Sequence, residues 1–421
     1  MFAILGRLLK RLVRTGDLKL VGPGGQVVRL GDGTGKPVAV RIATETAAAG
    51  ICLRPDLYFG QCFMDGTLVM EEGSIYDLLA VLLSNVEGHK WPAVIRFAYW
   101  MRQLVRYVEQ YNPIPQAQRN VAHHYDLSGE LYDLFLDRDR QYSCAYFETP
   151  DMSLEEAQLA KKRHLAAKLR IEPGMRVLDI GSGWGGLGLY LAEVCGAEVT
   201  GVTLSQEQFT CSNQRAQQRG VAGRVKFKLA DYRQLDGVFD RIVSVGMFEH
   251  VGIGHYRAFF AKIHSLLHEN GAAVIHSIAR SDGPSATNAW IAKYIFPGGY
   301  IPALSEVVPH IERSGLYVTD IEILRLHYAE TLKEWRRRFL DHRDRVKALY
   351  DERFCRMWEF YLASSESAFR YQGMDNMQIQ FTRHQHALPL TRDYIDAAER
   401  RLKQIDAKRP LLKSVKSAKS D

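Results

Sequence analysis

The chain has 421 residues, 46% of them hydrophobic and 24% charged, a composition typical of globular proteins that excludes a chain disordered throughout. Its six cysteines form no C-x-x-C pair and no metal-ligand spacing, so we expect reduced thiols, no disulfides and no metal site. The net charge of +7 is concentrated at the ends: residues 1–14 carry four basic residues and no acid, and residues 400–421 carry eight basic and two acidic residues. This placement predicts contact with an anionic surface.

Residues 1–14, MFAILGRLLKRLVR, predict a helix that is apolar on one face and basic on the other. Such a helix can lie at a membrane interface or pack on its own domain, and the pattern fits both. Basic residues interrupt the apolar run and no small-residue cleavage site follows, so a signal peptide is not expected. No stretch approaches the roughly 18 uncharged residues of a spanning helix. These features favour a cytoplasmic protein bound peripherally to the inner face of the membrane.

The next region, residues 15–85, contains the short alternating segments LKLVG, QVVRL, VAVRI and LVMEEG, followed by the helix-like SIYDLLAVLLSN. This order predicts a small α+β domain. Two prolines in NPIPQAQRN indicate a domain edge. We therefore place a first domain at residues 1–111, a linker at 112–121, a second domain at 122–398, and a basic tail, expected to be disordered, at 399–421.

From about residue 120 the sequence alternates apolar strands with amphipathic helices, which predicts a doubly wound α/β sheet. The predicted strands begin at MRVLDI, AEVTGVT, VKFKLAD, FDRIVSVG and AAVIHSI. In open sheets of this kind, ligands bind in the crevice at the carboxyl ends of the strands. Candidate site residues are therefore sought where these runs end.

The run VLDIGSGWGG, residues 177–186, is a strand that enters a glycine-rich turn and opens a helix. Gly181, Gly183 and Gly186 satisfy G-x-G-x-x-G, which permits a tight turn and close backbone approach to a ligand. By itself this is a weak signal for a dinucleotide. The alternative is a turn that binds no ligand and serves only helix packing.

Acidic residues distinguish between possible cofactors of this turn. A nicotinamide-binding unit would place an acid at the end of the second strand, but that strand ends in residues 203–205, Thr-Leu-Ser. Instead Asp179 precedes the glycines, and Asp231 ends the third strand. This spacing resembles class I S-adenosylmethionine-dependent methyltransferases, in which the glycine-rich backbone accommodates the amino-acid part of the cofactor and the strand-end Asp contacts adenine.

The fourth predicted strand, IVSVGMFEHVG at residues 242–252, ends abruptly in Glu249 and His250. Because strand ends line the ligand crevice, Glu249 is a candidate functional carboxylate. The alternative is that Glu249 caps the following helix, since helix N-termini attract acids. His250 is more simply explained as a structural hydrogen-bond partner.

Four further stretches narrow the class: AHHYDLSGELYDLFLD, QYSCAYF, VGMFEHVG and NAWIAKYIFPGGYIP. Together with DIGSGWGG and GVTLSQEQ, they closely resemble cyclopropane-fatty-acyl-phospholipid synthases and the related mycolic-acid cyclopropane synthases. The resemblance covers essentially the whole chain. It implies a Rossmann-like class I methyltransferase domain at 122–398, a smaller lipid-binding-like domain at 1–111, and a homodimer.

The resemblance also implies an activity. The methyl group of S-adenosylmethionine would be transferred to the double bond of an unsaturated phospholipid acyl chain, and proton loss from that methyl would close a cyclopropane ring. The same transfer could end in a methyl-branched or methylene lipid, and a lipid-binding protein with a vestigial methyltransferase fold is a further alternative. Nucleic acid is not an expected partner, because the basic tail has no interleaved aromatics. Aromatic candidates for stabilising the cation are Tyr146, Phe147, Tyr294, Phe296 and Tyr328.

The site residues follow from the same resemblance, which implies a bound bicarbonate ion as the base. Its matching ligand positions are Cys144, Glu249, His276, Ile278 and Tyr328. The N–H groups of Cys144 and Ile278, an imidazole N–H and a phenol O–H would donate to the anion, and Glu249 would accept from its hydroxyl. The matching S-adenosylmethionine contacts are Tyr125, Tyr142, Ser143, Asp179, Gly181, Gly183, Thr203, Leu204, Gln208, Asp231 and Tyr232.

Overall fold

A computed structural model of the chain describes residues 1–86 and 128–408. These residues divide into two compact units. The first contains residues 1–86, 286–297 and 332–374, and the second contains 128–285, 298–331 and 375–408. The predicted linker, Tyr125 and residues 409–421 of the basic tail lie outside the described residues.

Secondary-structure elements are numbered through the described residues. The helices are α1 (Phe2–Leu12), α2 (Glu45–Leu53), α3 (Pro55–Met64), α4 (Ile75–Ser84), α5 (Gly129–Phe135), α6 (Leu154–Lys168), α7 (Gly186–Val194), α8 (Gln206–Gln218), α9 (Tyr256–Leu266), α10 (Ala289–Tyr294), α11 (Leu304–Arg313), α12 (His327–Asp341), α13 (Arg343–Leu349), α14 (Glu352–Tyr371) and α15 (Asp393–Ala407). The strands are β1 (Asp17–Val21), β2 (Val27–Leu30), β3 (Pro37–Ile42), β4 (Leu68–Glu72), β5 (Arg176–Ile180), β6 (Glu198–Thr203), β7 (Val225–Leu229), β8 (Phe239–Val245), β9 (Leu267–Arg280), β10 (Tyr317–Ile323) and β11 (Met374–Thr382).

The first unit is built on a four-stranded sheet in the order β2-β1-β3-β4. β1 and β2 pair antiparallel, and β3 runs parallel to β1. Helix α4 begins at a capping box, in which Ser74 and Asp77 each bond the other's backbone. The α+β character predicted for this part of the chain therefore appears in the structure.

Two segments that are distant in sequence belong to this first unit. In α14 the ring of Phe360 packs 6.2 Å from that of Phe63 and 4.7 Å from that of Trp290, measured between centroids. Because these aromatic side chains bury one another, residues 286–297 and 332–374 cluster with the N-terminal residues. Both segments lie within the domain predicted at 122–398, and the predicted domain boundaries stay a prediction.

The second unit contains a seven-stranded sheet in the order β10-β11-β9-β8-β5-β6-β7. β5 through β9 pair in parallel, and β10 pairs antiparallel with β11. All five strands predicted for this region are present, which confirms the doubly wound sheet. In the sheet, β6 and then β7 lie on one side of β5, whereas β8 lies on the other side of β5. This reversal creates a switch point, where ligands bind in such sheets.

Neighbouring residues on the central strands enter separate hydrophobic clusters. Leu178 of β5 and Ile242 of β8 belong to one cluster, and Val177 and Val243 belong to the other. Because successive strand residues point to opposite faces, the sheet is covered by apolar side chains on both sides. This burial holds the strand ends in place for a site.

No helix within residues 1–86 and 128–408 is long and apolar enough to cross a bilayer. All six cysteines lie in these ranges, and each is a free thiol. The sequence predicts that Phe2, Leu5, Leu8, Leu9 and Leu12 share the apolar face of α1; of these, Phe2 and Leu5 are buried, whereas Leu8 is exposed.

Candidate functional site

A cavity opens at the carboxyl ends of β5, β6 and β8 and has a volume of about 1250 Å³ including its open mouth. Nearly all the residues predicted to contact the cofactor line it. They are Tyr142, Ser143, Asp179, Gly181, Gly183, Thr203, Leu204, Gln208, Asp231 and Tyr232. The structure thus brings together side chains from separate segments of the sequence, while Tyr125 lies outside the described residues.

Residues of the glycine turn between β5 and α7 line this cavity. Gly181 has a φ of +81°, and a Cβ atom added there would lie 2.8 Å from the Cβ of Met247. A side chain at this position would therefore be strained by its backbone and would clash with its neighbour. Glycine lets the backbone come close enough to contact a ligand.

Asp179, at the end of β5, is almost completely buried, and its Oδ2 has no hydrogen-bond partner within the described residues. Burial raises the pKa of this carboxyl to about 7, and the nearby charge of Lys161 opposes the rise. A cationic group of a ligand would stabilise the carboxylate form. This matches the amino-acid part of the predicted cofactor.

At the end of β6, two predicted cofactor residues bond each other. The hydroxyl of Thr203 donates to Oε1 of Gln208 at 2.7 Å. Ser205 caps the following helix by accepting from the backbone N–H of Gln208. The end of this strand and the first turn of α8 are therefore held together at the rim of the cavity.

Asp231, after β7, is paired with a residue that sequence reasoning missed. Its carboxylate accepts from Nε of Arg233 at 2.8 Å, from Nη2 at 2.6 Å and from the backbone N–H at 2.9 Å. Arg233 also lines the cavity, as do Arg140 and Trp184, which form a cation–π pair at 4.9 Å. No sequence pattern marks these three residues. Only the position of Arg233, two residues after Asp231, could have indicated that it lies near the site.

Glu249 lies in a 3₁₀ turn, Phe248–His250, just after β8. Its Oε1 accepts from the backbone N–H of Ile278 on β9 at 2.7 Å, and its buried Oε2 has no partner within the described residues. Burial raises the pKa of this carboxyl to about 7. The carboxylate thus joins two strand ends, and the alternative that it caps the following helix is wrong.

His276 and Ile278 lie on the same face of β9 because they are two residues apart. The side-chain amide of Gln378 donates to Nδ1 of His276 at 3.1 Å, so the ring hydrogen is on Nε2, which is buried without a partner in the described ranges. Burial lowers the pKa of His276 well below its usual value, so the ring is neutral. His276 therefore has an unused donor.

The backbone N–H of Ile278 has a partner that the sequence did not indicate, and its predicted role at a bound anion stays a prediction. Sequence reasoning assigned its N–H to a bound anion, but that N–H is donated to Glu249. The hydrogen bond forms because the turn after β8 places the carboxylate directly against β9. Ile278 therefore acts on the site by orienting Glu249.

Cys144 and Tyr328 are both buried in the second unit. The backbone N–H of Ala145 donates to the hydroxyl of Thr331 at 3.0 Å, and Thr331 lies one helical turn after Tyr328 in α12. The segment that contains Cys144 is thus fastened to the helix that contains Tyr328. Burial raises the pKa of the Cys144 thiol, which keeps it protonated and weakly nucleophilic.

One aromatic candidate has ring partners that the sequence did not indicate. The ring of Tyr146 is stacked 4.3 Å from that of His164 and 5.0 Å from that of His327, with interplanar angles of 14° and 10°. Two imidazoles therefore stack on the ring of Tyr146, and the prediction that it offers a face to a cation stays a prediction. Tyr294 and Phe296 belong to the first unit.

Among the described side chains, no group of three or more His, Cys, Asp or Glu could hold a metal ion.

Comparisons with known proteins agree with this geometry. The family model described as mycolic acid cyclopropane synthetase matches residues 114–379, more than half of the chain. A tuberculostearic acid methyltransferase of Mycobacterium tuberculosis is 36% identical over 392 residues, which cover 89% of this chain and 90% of that protein. The cyclopropane-fatty-acyl-phospholipid synthase of Escherichia coli is 41% identical over 260 residues, which cover 62% of this chain and 66% of that protein.

A solved structure extends the likeness to three dimensions. The crystal structure of the mycolic acid cyclopropane synthase CmaA1, in complex with SAH and CTAB, matches with a TM-score of 0.61 and 34% identity. The match covers 65% of this chain and 99% of that one. Together with the sheet order, it confirms the predicted class I methyltransferase fold.

Proposed function

The chain belongs to the mycolic acid cyclopropane synthetase family, and we propose that it methylates the double bond of an unsaturated acyl chain in a membrane phospholipid and closes a cyclopropane ring. The methyl donor is S-adenosylmethionine, which suits the cavity at the switch point of the sheet. The observation that carries the proposal is the buried carboxylate of Glu249, which lies between the cavity residues Met247 and His250.

The proposal includes a bicarbonate ion as the base. Its support is the pair of buried atoms without partners within the described residues, Oε2 of Glu249 and the Nε2–H of His276. One is an acceptor for the hydroxyl of the anion and the other a donor to its charged oxygens, so the two residues fit the group. When bound, bicarbonate would supply a base for the proton that leaves the new methyl group.

The chain's own residues protect a cationic intermediate on the substrate. His276 is neutral and can donate a hydrogen bond without placing a repelling positive charge in the site. The raised pKa of the Cys144 thiol keeps a strong nucleophile away from a methylating agent. Burial of these side chains excludes water, which would capture the cation before the ring closes.

Membrane contact is proposed for α1. Met1, Ile4 and Leu8 are 45%, 46% and 49% exposed and follow one side of the helix, while Phe2 and Leu5 are buried in the first unit. Basic side chains beside them are exposed as well: Arg7, Lys10 and Arg11. We infer that this exposed side rests on the anionic inner face of the membrane and that the protein is cytoplasmic.

The test is an assay with liposomes of unsaturated phospholipid and S-adenosylmethionine, with and without added bicarbonate. We expect each acyl chain that reacts to gain one CH₂, ring-specific chromatography to identify a cyclopropane, and bicarbonate to raise the rate. Unmodified acyl chains would refute the proposal. If the protein also failed to bind S-adenosylmethionine, a lipid-binding protein with a vestigial fold would be favoured.

A second product is favoured by one observation. The relative that matches along 89% of this chain is named a tuberculostearic acid methyltransferase, whereas the match to the phospholipid synthase covers 62% of the chain. The same methyl transfer could therefore end in a methylene lipid through proton loss, or in a methyl-branched lipid where a separate reductant supplies a hydride. Mass alone does not distinguish a methylene lipid from its cyclopropane isomer, so the chromatographic separation decides between them.

The same liposomes test the proposed membrane contact. Sedimentation with anionic vesicles should be reduced for Leu8→Asp, because a charge replaces an exposed apolar side chain, while neutral vesicles should bind weakly in both cases. Equal sedimentation of the variant and the parent would exclude α1 as the contact.

We also propose a homodimer, and light scattering in solution would give the mass that checks it.

A further inference from the structure

Helix α6 carries an unusual set of buried basic residues: Lys161, Lys162, Arg163, His164 and Lys168. All but the first are paired with carboxylates of the second unit. Lys161 is 0% exposed, yet no ion pair joins it to a carboxylate in the part of the chain that the structure describes. A fully buried lysine without a carboxylate partner is costly, which makes Lys161 a candidate functional residue.

The polar contact of Lys161 leads to the cofactor cavity. Its Nζ donates to the hydroxyl oxygen of Ser143 at 2.7 Å. Gln158, one turn earlier on the helix, donates from its side-chain amide to the carbonyl of Ser143 at 2.9 Å. Because Ser143 lines the cavity, Lys161 is one hydrogen bond away from any ligand bound there.

The protonation state of Lys161 decides where the hydroxyl hydrogen of Ser143 can point. An ammonium has three donors and no acceptor, so Ser143 must accept from it, and the hydroxyl hydrogen is then available to the cavity. A neutral amine has a lone pair and can accept that hydrogen instead. The charged lysine therefore makes Ser143 a donor to a ligand.

Both forms of Lys161 are accessible near neutral pH. Burial lowers the pKa of Lys161 to about 7, although the charge of Asp137 raises it. The other titratable groups that act on Lys161 or are acted on by it are Asp139, Lys162, Cys144, Asp179 and His276. Of these, Asp179 lines the cavity and is itself buried.

We propose that Lys161 is a positioning residue for the cofactor: its ammonium directs the hydroxyl hydrogen of Ser143 toward an acceptor of bound S-adenosylmethionine. The inference rests on the cofactor of the proposed function and is independent of the lipid substrate and the product. It assigns a role in binding to a residue that does not touch the cavity.

The test is calorimetric titration of the full chain with S-adenosylhomocysteine. We expect Lys161→Met to weaken binding about tenfold at about pH 6, where the lysine is charged. At about pH 9 the ratio of the dissociation constants of variant and parent should approach one. Because removal of Lys161 also lets the pKa of Asp179 rise, the loss at about pH 6 is assigned to the serine hydroxyl only where Ser143→Ala, which keeps both charges, loses as much affinity. Lys168→Met is the matched control, since it removes a buried lysine of the same helix and leaves the Ser143 contact intact, and its ratio should stay near one at both pH values.

Two results would overturn the proposal. One is unchanged affinity of Lys161→Met, and the other is an equal loss at both pH values, which a merely structural role would produce. If Lys161→Met does not fold, Ser143→Ala replaces it: this variant should also lose about tenfold at about pH 6, and parent-like affinity would refute the role of the hydroxyl. Intact cofactor binding without lipid product would instead contradict only the proposed function.

Discussion

The two sides of the sheet's switch point differ in how completely their polar side chains are paired. At the ends of β6 and β7, Thr203 bonds Gln208, and both carboxylate oxygens of Asp231 accept from Arg233. At the ends of β8 and β9, Oε2 of Glu249 and Nε2 of His276 are buried without a partner in the described residues. The first side is a prearranged binding surface, and the second leaves two buried polar atoms that a ligand could pair.

This difference separates recognition from chemistry. A buried polar atom without a partner costs about 1–3 kcal/mol, so it persists where a ligand completes it. The paired side can bind a cofactor through groups that already hold one another in place. The unpaired side leaves one acceptor and one donor for a small polar group to complete, so changes on the two sides should affect different steps.

The largest effect is expected for Glu249→Gln. It removes the charge that would accept from the anion's hydroxyl, so turnover should fall about a hundredfold to a thousandfold. Affinity for S-adenosylhomocysteine should stay unchanged, because the paired side is intact. Steady-state kinetics and calorimetry measure the two quantities, and Glu269→Gln, an exposed carboxylate on β9, is the matched control. Full turnover of Glu249→Gln would contradict the assignment.

The same substitution should change the dependence of stability on pH. The pKa of Glu249 is raised to about 7, so the folded state holds this proton more tightly than the unfolded state does. The stability that it contributes is therefore present at acidic pH and is lost as the pH rises through about 7. Between about pH 5 and about pH 8, ionisation of Glu249 should lower the unfolding free energy of the parent by about 2 kcal/mol. The unfolding free energy of Glu249→Gln should not show this decrease. Urea unfolding of both proteins at both pH values checks this, and parallel pH dependences would count against the buried carboxyl.

A smaller effect is expected on the paired side. Asp231→Asn should weaken the affinity for S-adenosylhomocysteine about tenfold, because the amide cannot accept from Arg233 at both of its atoms. Turnover at saturating S-adenosylmethionine should be unchanged, in contrast to Glu249→Gln. Asp236→Asn, whose carboxylate is fully exposed, is the control for a local charge change. Loss of turnover in Asp231→Asn without loss of affinity would remove the distinction between the two sides.

The positions of the cofactor residues could be predicted from the sequence because they follow local patterns. Gly181 and Asp231 each come at the end of an apolar run, and parallel strands bring such ends to one edge of the sheet. The same argument placed Glu249 at that edge, where it lies in the structure. Which functional role each residue has stays a prediction.

Other features depend on contacts that periodicity does not reveal. Arg233 was missed because no pattern marks it, although its guanidinium occupies both oxygens of Asp231. Tyr146 appeared in the sequence as an aromatic residue beside the site, but its two stacked imidazoles come from distant helices. The aromatic cluster around Phe360 likewise joins segments that are far apart in the chain.

The sequence by itself determined the sheet and the strand ends that carry the site, because alternating apolar runs and glycine turns are local consequences of backbone geometry and burial. Tertiary structure alone decided the partners of Glu249 and Lys161. It brought the N–H of Ile278 to Glu249 and left Lys161 with a serine instead of a carboxylate, since hydrogen-bond partners are selected by packing between elements distant in sequence.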